Sequence, residues 1–404
     1  MLAPERRTRT DLLVAATLVV TVLVAASVVW LRSDARGTTS ITWDEPVSAP
    51  RVAGALPDAL TEVWQAPSGA TSVPVALGGT VATADANTVV GRDPLTGNER
   101  WRYERNRPLC AATGAWGSAI SVYRDARGCG QVTALESDSG ARGPQRTSDA
   151  DEEIRLFEAG SHVIALGDTR LEMWRSDLVR TVEYGYVDAP VNPRAQPRSG
   201  CELLSADAGT SRLAVLEQCP NEPANRLTLL DPTPDDAQKP EQYASSVLPE
   251  AQTGAGARIV AVLGERTAVY MPPGPGGGPR IAVYDGSGAL VDTHNLERVA
   301  GNGAAPATEQ EGVLVWWTGL DTVGLSPEDF APVWTVEDTL GTGAPMAGSL
   351  LLPVDDAVAA VDPASGNVRQ RIPVDRDDAP QDVDVAVTGE LVLEQRGDQV
   401  VALR

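Results

Sequence analysis

Few residues in this 404-residue sequence have both the type and the spacing for chemistry. Its two histidines, His162 and His294, are far apart: one in a strand-like Ser-His-Val-Ile-Ala-Leu run, the other in a polar turn. A Ser-His-Asp triad or a histidine metal site needs more than this, so both read as ordinary structural or surface residues. Acids cluster at Asp375, Asp377, Asp378, Asp382 and Asp384, and again at Asp149, Asp151, Glu152 and Glu153. Calcium loops alternate their carboxylates, bend at a glycine and close on a distant bidentate acid. Asp375 and Asp377 offer two alternating positions, but no glycine sits at the sixth place, and solvated loops are expected. The run Pro272-Pro273-Gly274-Pro275-Gly276-Gly277-Gly278-Pro279 lacks the lysine and following helix of a phosphate loop. No catalytic, cofactor-binding or metal-binding residue is assigned.

The cysteines are more informative. Cys110 with Cys129 and Cys201 with Cys219 form two pairs of nearly equal spacing, unlike the short Cys-x-x-Cys of zinc and redox sites. Two local structural disulfides are expected, which places the domain in an oxidising compartment. Trp316-Trp317 is a candidate partner contact, because strand neighbours face opposite sides; a strand buried on both faces would make both rings structural.

Leu12 to Leu31 is a stretch without charge, about 30 Å long as a helix and preceded by Arg6, Arg7 and Arg9. A single membrane span with its N-terminus inside is expected. A cleaved signal is the rival reading, but its apolar core runs about 7–15 residues, and here Val28 to Leu31 continue past the Ala25-Ala26-Ser27 site. Met1 to Arg36 carries five arginines against three acids, a charge of +2, so a total of −22 leaves −24 on the remainder. The average surface of such an ectodomain repels nucleic acid and anionic lipid headgroups.

Beyond a Pro/Ser/Thr/Gly-rich segment at 32–59, short Val/Leu/Ile runs alternate with Gly, Pro and Asp, as in an all-β chain. Pentads ending at Asp93, Glu136, Arg175, Asp231, Asp285, Ser326, Asp362 and Arg404 recur at steps of 36 to 56 residues. One four-stranded propeller blade takes about 40–45 residues. Asp93-Pro94-Leu95-Thr96-Gly97 and Asp362-Pro363-Ala364-Ser365-Gly366 match as tight turns, and Glu136 to Gly140 is a variant. Trp101 and Trp334 each follow eight residues after a pentad end, either as core or docked between blades. Leu60 to Trp64 resembles these outer strands and is expected to complete the last blade, removing an open sheet edge.

The Asp-Pro-x-Thr/Ser-Gly turn followed by tryptophan resembles the quinoprotein-type (PQQ-like) propeller repeat. The whole chain resembles a family of single-span, membrane-anchored PQQ-like propeller proteins of actinobacteria. Leu60 to Pro74, Val89 to Trp101, Gly140 to Ser148, Trp174 to Gly185 and the final LEQRGDQVVALR carry that resemblance. It implies fold and topology and supplies no reaction. Quinone enzymes with this blade add a calcium site, a catalytic carboxylate and often an adjacent-cysteine disulfide; no two cysteines are adjacent here, and no cofactor is expected.

The expected organisation is a cytoplasmic tail at 1–11, a transmembrane helix at 12–31, an extracytoplasmic linker at 32–59 and a propeller at 60–404. The propeller is expected to be all-β with eight blades, seven being the alternative, and closed by its N-terminal strand. The expected function is a non-catalytic scaffold or assembly module in the cytoplasmic membrane, binding a protein or envelope partner and no nucleic acid. The alternatives are a quinone-dependent dehydrogenase and a hydrolase with paired carboxylates in the propeller channel.

Overall fold

The computed structural model describes residues 8–404 except 193, 249–255, 275–276, 302–304 and 377–381. Asp377 and Asp378 of the first acidic cluster, and Pro275 and Gly276 of the Pro/Gly run, lie outside the described residues.

One helix, Arg9–Arg32, precedes an all-β body. Thr8 and Asp11 cap it reciprocally: the Thr8 N–H donates to Asp11 Oδ2 at 2.8 Å and the Asp11 N–H to Thr8 Oγ1 at 3.2 Å. None of its residues is buried by the rest of the chain. It is long and apolar enough to cross a bilayer.

The body is an eight-bladed β-propeller. We name the strands of each blade A to D in the order of their pairing, from the channel outward. Blades 1 to 7 span 75–105, 109–147, 155–185, 202–247, 258–295, 308–336 and 344–373. Blade 8 takes strands A to C from 383–403 and strand D from the N-terminal Glu62–Pro67. That last strand pairs antiparallel with Gln399–Leu403, placing Trp64 opposite Ala402. Thr61 and Arg404 exchange backbone hydrogen bonds of 2.9 Å at the seam. The ring closes as the outer-strand resemblance of Leu60 to Trp64 foretells.

Strands A to C carry near-continuous apolar runs because neighbouring blades cover both faces. Ser349–Val354 and His162–Leu166 are buried at every residue, whereas the outer Val368–Pro373 is mostly exposed. The expected Trp316-Trp317 contact is corrected on this ground. Both rings are buried, at 0% and 6% exposure, and the Trp317 indole N–H donates to Thr339 O at 3.2 Å. Strand alternation sends one ring to each face, but here each face meets a blade.

The other tryptophans explain the repeat. Trp64, Trp101 and Trp334 each donate an indole N–H to a carbonyl in the C–D turn of the following blade, at Pro94 (2.7 Å), Ser137 (2.7 Å) and Pro363 (2.8 Å). The turn glycine lies under the ring. A Cβ on Gly140, at φ +67°, would sit 2.6 Å from Trp101, and Gly97 and Gly366 stand likewise beneath Trp64 and Trp334. Turn and tryptophan therefore work as one clasp between successive blades.

Both predicted disulfides are present, Cys110–Cys129 in blade 2 and Cys201–Cys219 in blade 4. The irregular third and fourth repeats also have a cause. The outer strand of blade 3, Arg180–Gly185, is buried under two inserts: the Glu183 N–H donates to Ala237 O and the Gln196 amide to Glu183 O, both at 2.9 Å.

The segment at 32–59, expected to be a linker that lifts the domain off the membrane, is strapped to the ring. Thr38–Ile41 adds a fifth strand to blade 1, antiparallel to Glu99–Arg105. The Trp43 N–H then donates to Ser139 O at 2.9 Å, in the C–D turn of blade 2. Val47 and Ser48 lie over Gly79 in the A–B turn of blade 1, and Pro50 and Arg51 over Gly389 in that of blade 8. Pro57 O accepts from the Gln370 amide of blade 7 at 2.8 Å. In an up-and-down blade the A–B and C–D turns share a face, so from Trp43 to Arg51 the strap crosses that face.

Candidate functional site

The opposite face carries the B–C turns and the connectors between blades, and an open cavity lies there between blades 2 and 3. A cavity of ≈ 510 Å³ is framed there by the B–C turn of blade 2 (Ala126, Arg127), the connector with Asp149, Ala150 and Asp151, the B–C turn of blade 3 (Thr169, Arg170), and Tyr186 and Asp188 after its outer strand. Four chain segments converge on it from about 60 residues of sequence.

Asp151 builds the frame. Its Oδ2 accepts the backbone N–H groups of Thr169 (2.8 Å) and Arg170 (3.0 Å), and its Oδ1 accepts the Thr169 hydroxyl (2.7 Å). A carboxylate from one blade thus caps a turn of the next. Gly167 leaves room for it, since a Cβ there would lie 2.1 Å from Asp151 Oδ2.

Beneath the cavity is a buried charge cluster. Arg170 donates to Glu172 (2.8 Å), to Glu183 (2.5 Å) and to Tyr186 O (3.2 Å). Arg180 reaches the same two glutamates at 3.0 and 2.6 Å, and Arg146 lies 3.1 Å from Glu172. The Trp174 indole N–H and the Ser148 hydroxyl complete the shell of Glu172 at 2.9 and 3.0 Å. Burial opposes the ionisation of Glu172, but Arg146, Arg170 and Arg180 outweigh it and hold its carboxyl below the usual range. Three guanidinium groups facing two carboxylates form a cross-linked floor with one surplus positive charge.

The rim is where a ligand would meet adaptable groups. Asp149 and Arg127 are half-exposed and loosely paired at 3.5 Å. Tyr186 exposes its ring and donates its hydroxyl to Asp188 at 3.1 Å. Glu152, Glu153 and Asp168 stand exposed on the same loops. The mouth is therefore predominantly acidic with one aromatic wall, suited to a cationic side chain by charge and by cation–π contact. No histidine, cysteine or serine lines it.

The remaining sequence candidates are scattered. His162 is buried on strand B of blade 3 and burial lowers its pKa, while His294 sits on the outer strand of blade 5 with its ring 2.9 Å from Asp329 O. The second acidic cluster contributes Asp149 and Asp151 to the cavity. From the first, Asp384 is drawn inward, accepting the Thr342 N–H at 2.8 Å and hydroxyl at 2.6 Å across the blade 7–8 seam. Asp207 likewise accepts the Val262 N–H at 2.8 Å between blades 4 and 5. These two inner-strand carboxylates are each bonded to a neighbouring blade and not aimed as a catalytic pair.

Cys201, Cys219 and Glu217 lie close enough to hold a metal ion, but both sulfurs are joined to each other. Glu217 is satisfied by the Thr228 hydroxyl (2.6 Å), the Tyr184 hydroxyl (2.8 Å) and Arg198 (3.3 Å). The tricarboxylate quinone of quinoprotein-type enzymes does not fit the cavity: Asp149, Asp151 and Asp188 oppose it, and Arg170 is committed to Glu172 and Glu183. Sequence reasoning missed the cavity because its parts come from four loops. The signal was Arg170 with Glu172 in an otherwise apolar strand pattern.

No protein-family model matches the sequence, and neither does any curated protein. Solved structures do match. BamB from Moraxella catarrhalis is similar over 85% of this chain and 99% of its own, with 13% identity and a TM-score of 0.52. The C-terminal WD40 domain of Sif2 covers 86% and 99%, at 8% and 0.53. The dihydro-heme d1 dehydrogenase NirN, solved in complex with DHE, covers 89% and 78%, at 12% and 0.52. At these identities the likeness is one of fold, and propellers host both binding modules and enzymes.

Proposed function

We propose that this chain is a membrane-anchored, extracytoplasmic scaffold that binds a protein partner at the cavity between blades 2 and 3. The acid-rimmed cavity on the loop face carries the reading: a cross-linked floor, an exposed aromatic wall and carboxylates at the mouth suit a basic segment of a protein. The charge of −24 outside the first 36 residues draws such a partner from a distance and disfavours nucleic acid. The apolar helix supports a single span with its N-terminus inside, and the two disulfides support an oxidising compartment for the propeller. Membership of the actinobacterial membrane-anchored PQQ-like family accords with the fold and belongs to the same proposal.

The test uses the full chain, extracted from its own membranes in mild detergent, with a photo-crosslinking amino acid in place of Tyr186. A discrete protein adduct is expected. It should weaken in Asp149→Asn/Asp188→Asn and in added salt, because exposed charges are screened within about 8–10 Å. An adduct indifferent to both changes would refute a charge-read cavity, and catalytic turnover abolished by the same substitutions would replace the scaffold with an enzyme.

A further inference from the structure

The apolar helix ends at Arg32 and the strand added to blade 1 begins at Thr38. Six Cα steps separate them, a reach of at most about 21 Å. Asp34–Gly37 is wound as a 3₁₀ turn, which rises about 2 Å per residue and shortens that reach. Beyond Thr38 the chain is fixed: Thr38 to Ile41 pair in register with Arg105 to Arg102, and the strap continues along the ring. The propeller is held at its rim by a short connection and cannot hang from a long flexible leash.

The charge around that point differs from the rest of the ectodomain. Residues 32–43 and 99–107 hold Arg32, Arg36, Arg100, Arg102, Arg105 and Arg107 against Asp34, Glu99 and Glu104, and Asp93 pairs with Arg100, which leaves a net +2 within a strongly acidic protein. Across an eight-membered ring from blade 1 stands blade 5. Its outer strand and flanks carry Asp285, Asp292 and Glu297 against Arg298, a net −2. The uncharged strand Thr38–Ile41 forms the outermost edge of blade 1, with Ile41 half-exposed.

We propose that the propeller stands edge-on to the bilayer, with the outer edge of blade 1 against anionic headgroups and blade 5 farthest from them. This rests on the reading of Arg9–Arg32 as a membrane anchor. The short connection sets which edge approaches the surface, and the charge asymmetry turns that edge inward. The cavity between blades 2 and 3 then opens close to the membrane, within reach of partners that are themselves membrane-bound.

The test is energy transfer in vesicles of phosphatidylcholine with anionic phosphatidylglycerol, carrying acceptor-labelled lipid. Full-length Ser40→Cys and Thr293→Cys, each labelled with a donor dye at an exposed strand position, are reconstituted separately. Transfer from position 40 should exceed that from position 293 by about twofold or more, given the length of the connection. A flexible Gly-Ser insert of about twenty residues after Ser33 should remove most of the difference. Equal transfer from both sites without the insert would overturn the edge-on arrangement. Failure of the unlabelled chain to float with vesicles would instead overturn the anchor reading itself.

Discussion

Asp207 offers a direct way to test how the ring holds together. It lies on the inner strand Glu202–Ala208 of blade 4, and its Oδ2 accepts the Val262 N–H of blade 5 at 2.8 Å. Burial pushes its carboxyl up to about 7, and the Ala208 and Val262 N–H groups resist that shift without overcoming it. The folded state therefore binds this proton more tightly than the unfolded chain, whose carboxyl titrates near 3.9. The associated stability is complete below the unfolded pKa and is lost as pH rises through the folded one. About three pKa units at 1.36 kcal/mol each give about 4 kcal/mol in total, of which about 2–3 kcal/mol disappears between pH 5 and pH 8. Asp207→Asn keeps an acceptor oxygen for Val262 and cannot ionise. Relative to the parent, it should gain about 2–3 kcal/mol over that interval, or about 4 °C in Tm for a domain of this size. Urea unfolding of the full chain in nonionic detergent, followed by tryptophan fluorescence at pH 5, 6, 7 and 8, measures the difference. Parallel stability–pH curves for the two proteins would refute the reasoning.

Two further outcomes follow from the clasps and the seam. Gly140→Ala should lower the urea midpoint clearly more than Gly117→Ala: both glycines have positive φ, but a Cβ at Gly140 meets Trp101 at 2.6 Å while Gly117 faces open space. Equal losses would mean that backbone strain alone is read. Removing residues 1–66 deletes Glu62–Val63–Trp64 and should leave Gln399–Leu403 unpaired and the product aggregated, whereas removing 1–55 keeps that strand and should yield a monomer by light scattering.

The architecture was legible because local chemistry repeats. Asp93 and Asp362 open the same turn, Gly97 and Gly366 close it, and the tryptophan eight residues past the pentad end reports the outer strand. The matched cysteine spacing was equally local, since each disulfide stays within one blade. What was not legible depends on packing between distant segments. Trp316 and Trp317 read as one ring in and one ring out because a lone strand alternates; a blade strand is covered on both faces. Thr38–Ile41 carries no alternating pattern and becomes a strand only because Glu99–Arg105 offers it an edge. The cavity is invisible for the same reason: Asp151 resembles any loop acid until blade 3 brings Thr169 and Arg170 to it.

The seam of the ring has a consequence for how the molecule is made. Glu62–Pro67 leaves the ribosome early, yet its partner Gln399–Leu403 is the last strand of the ring to follow it. For nearly the whole of synthesis, the first strand of the propeller must wait beside an incomplete circle. Pairings between such distant parts of a chain form slowly, because loop closure has to precede any gain from contact. The strap shortens that search: once blade 1 exists, Thr38–Ile41 can zip onto it and park the waiting strand near the place where the circle will close. Assembly of this protein is thus a race between the arrival of the final strand and the capture of the first by some other edge, and the early fastening biases the race toward closure.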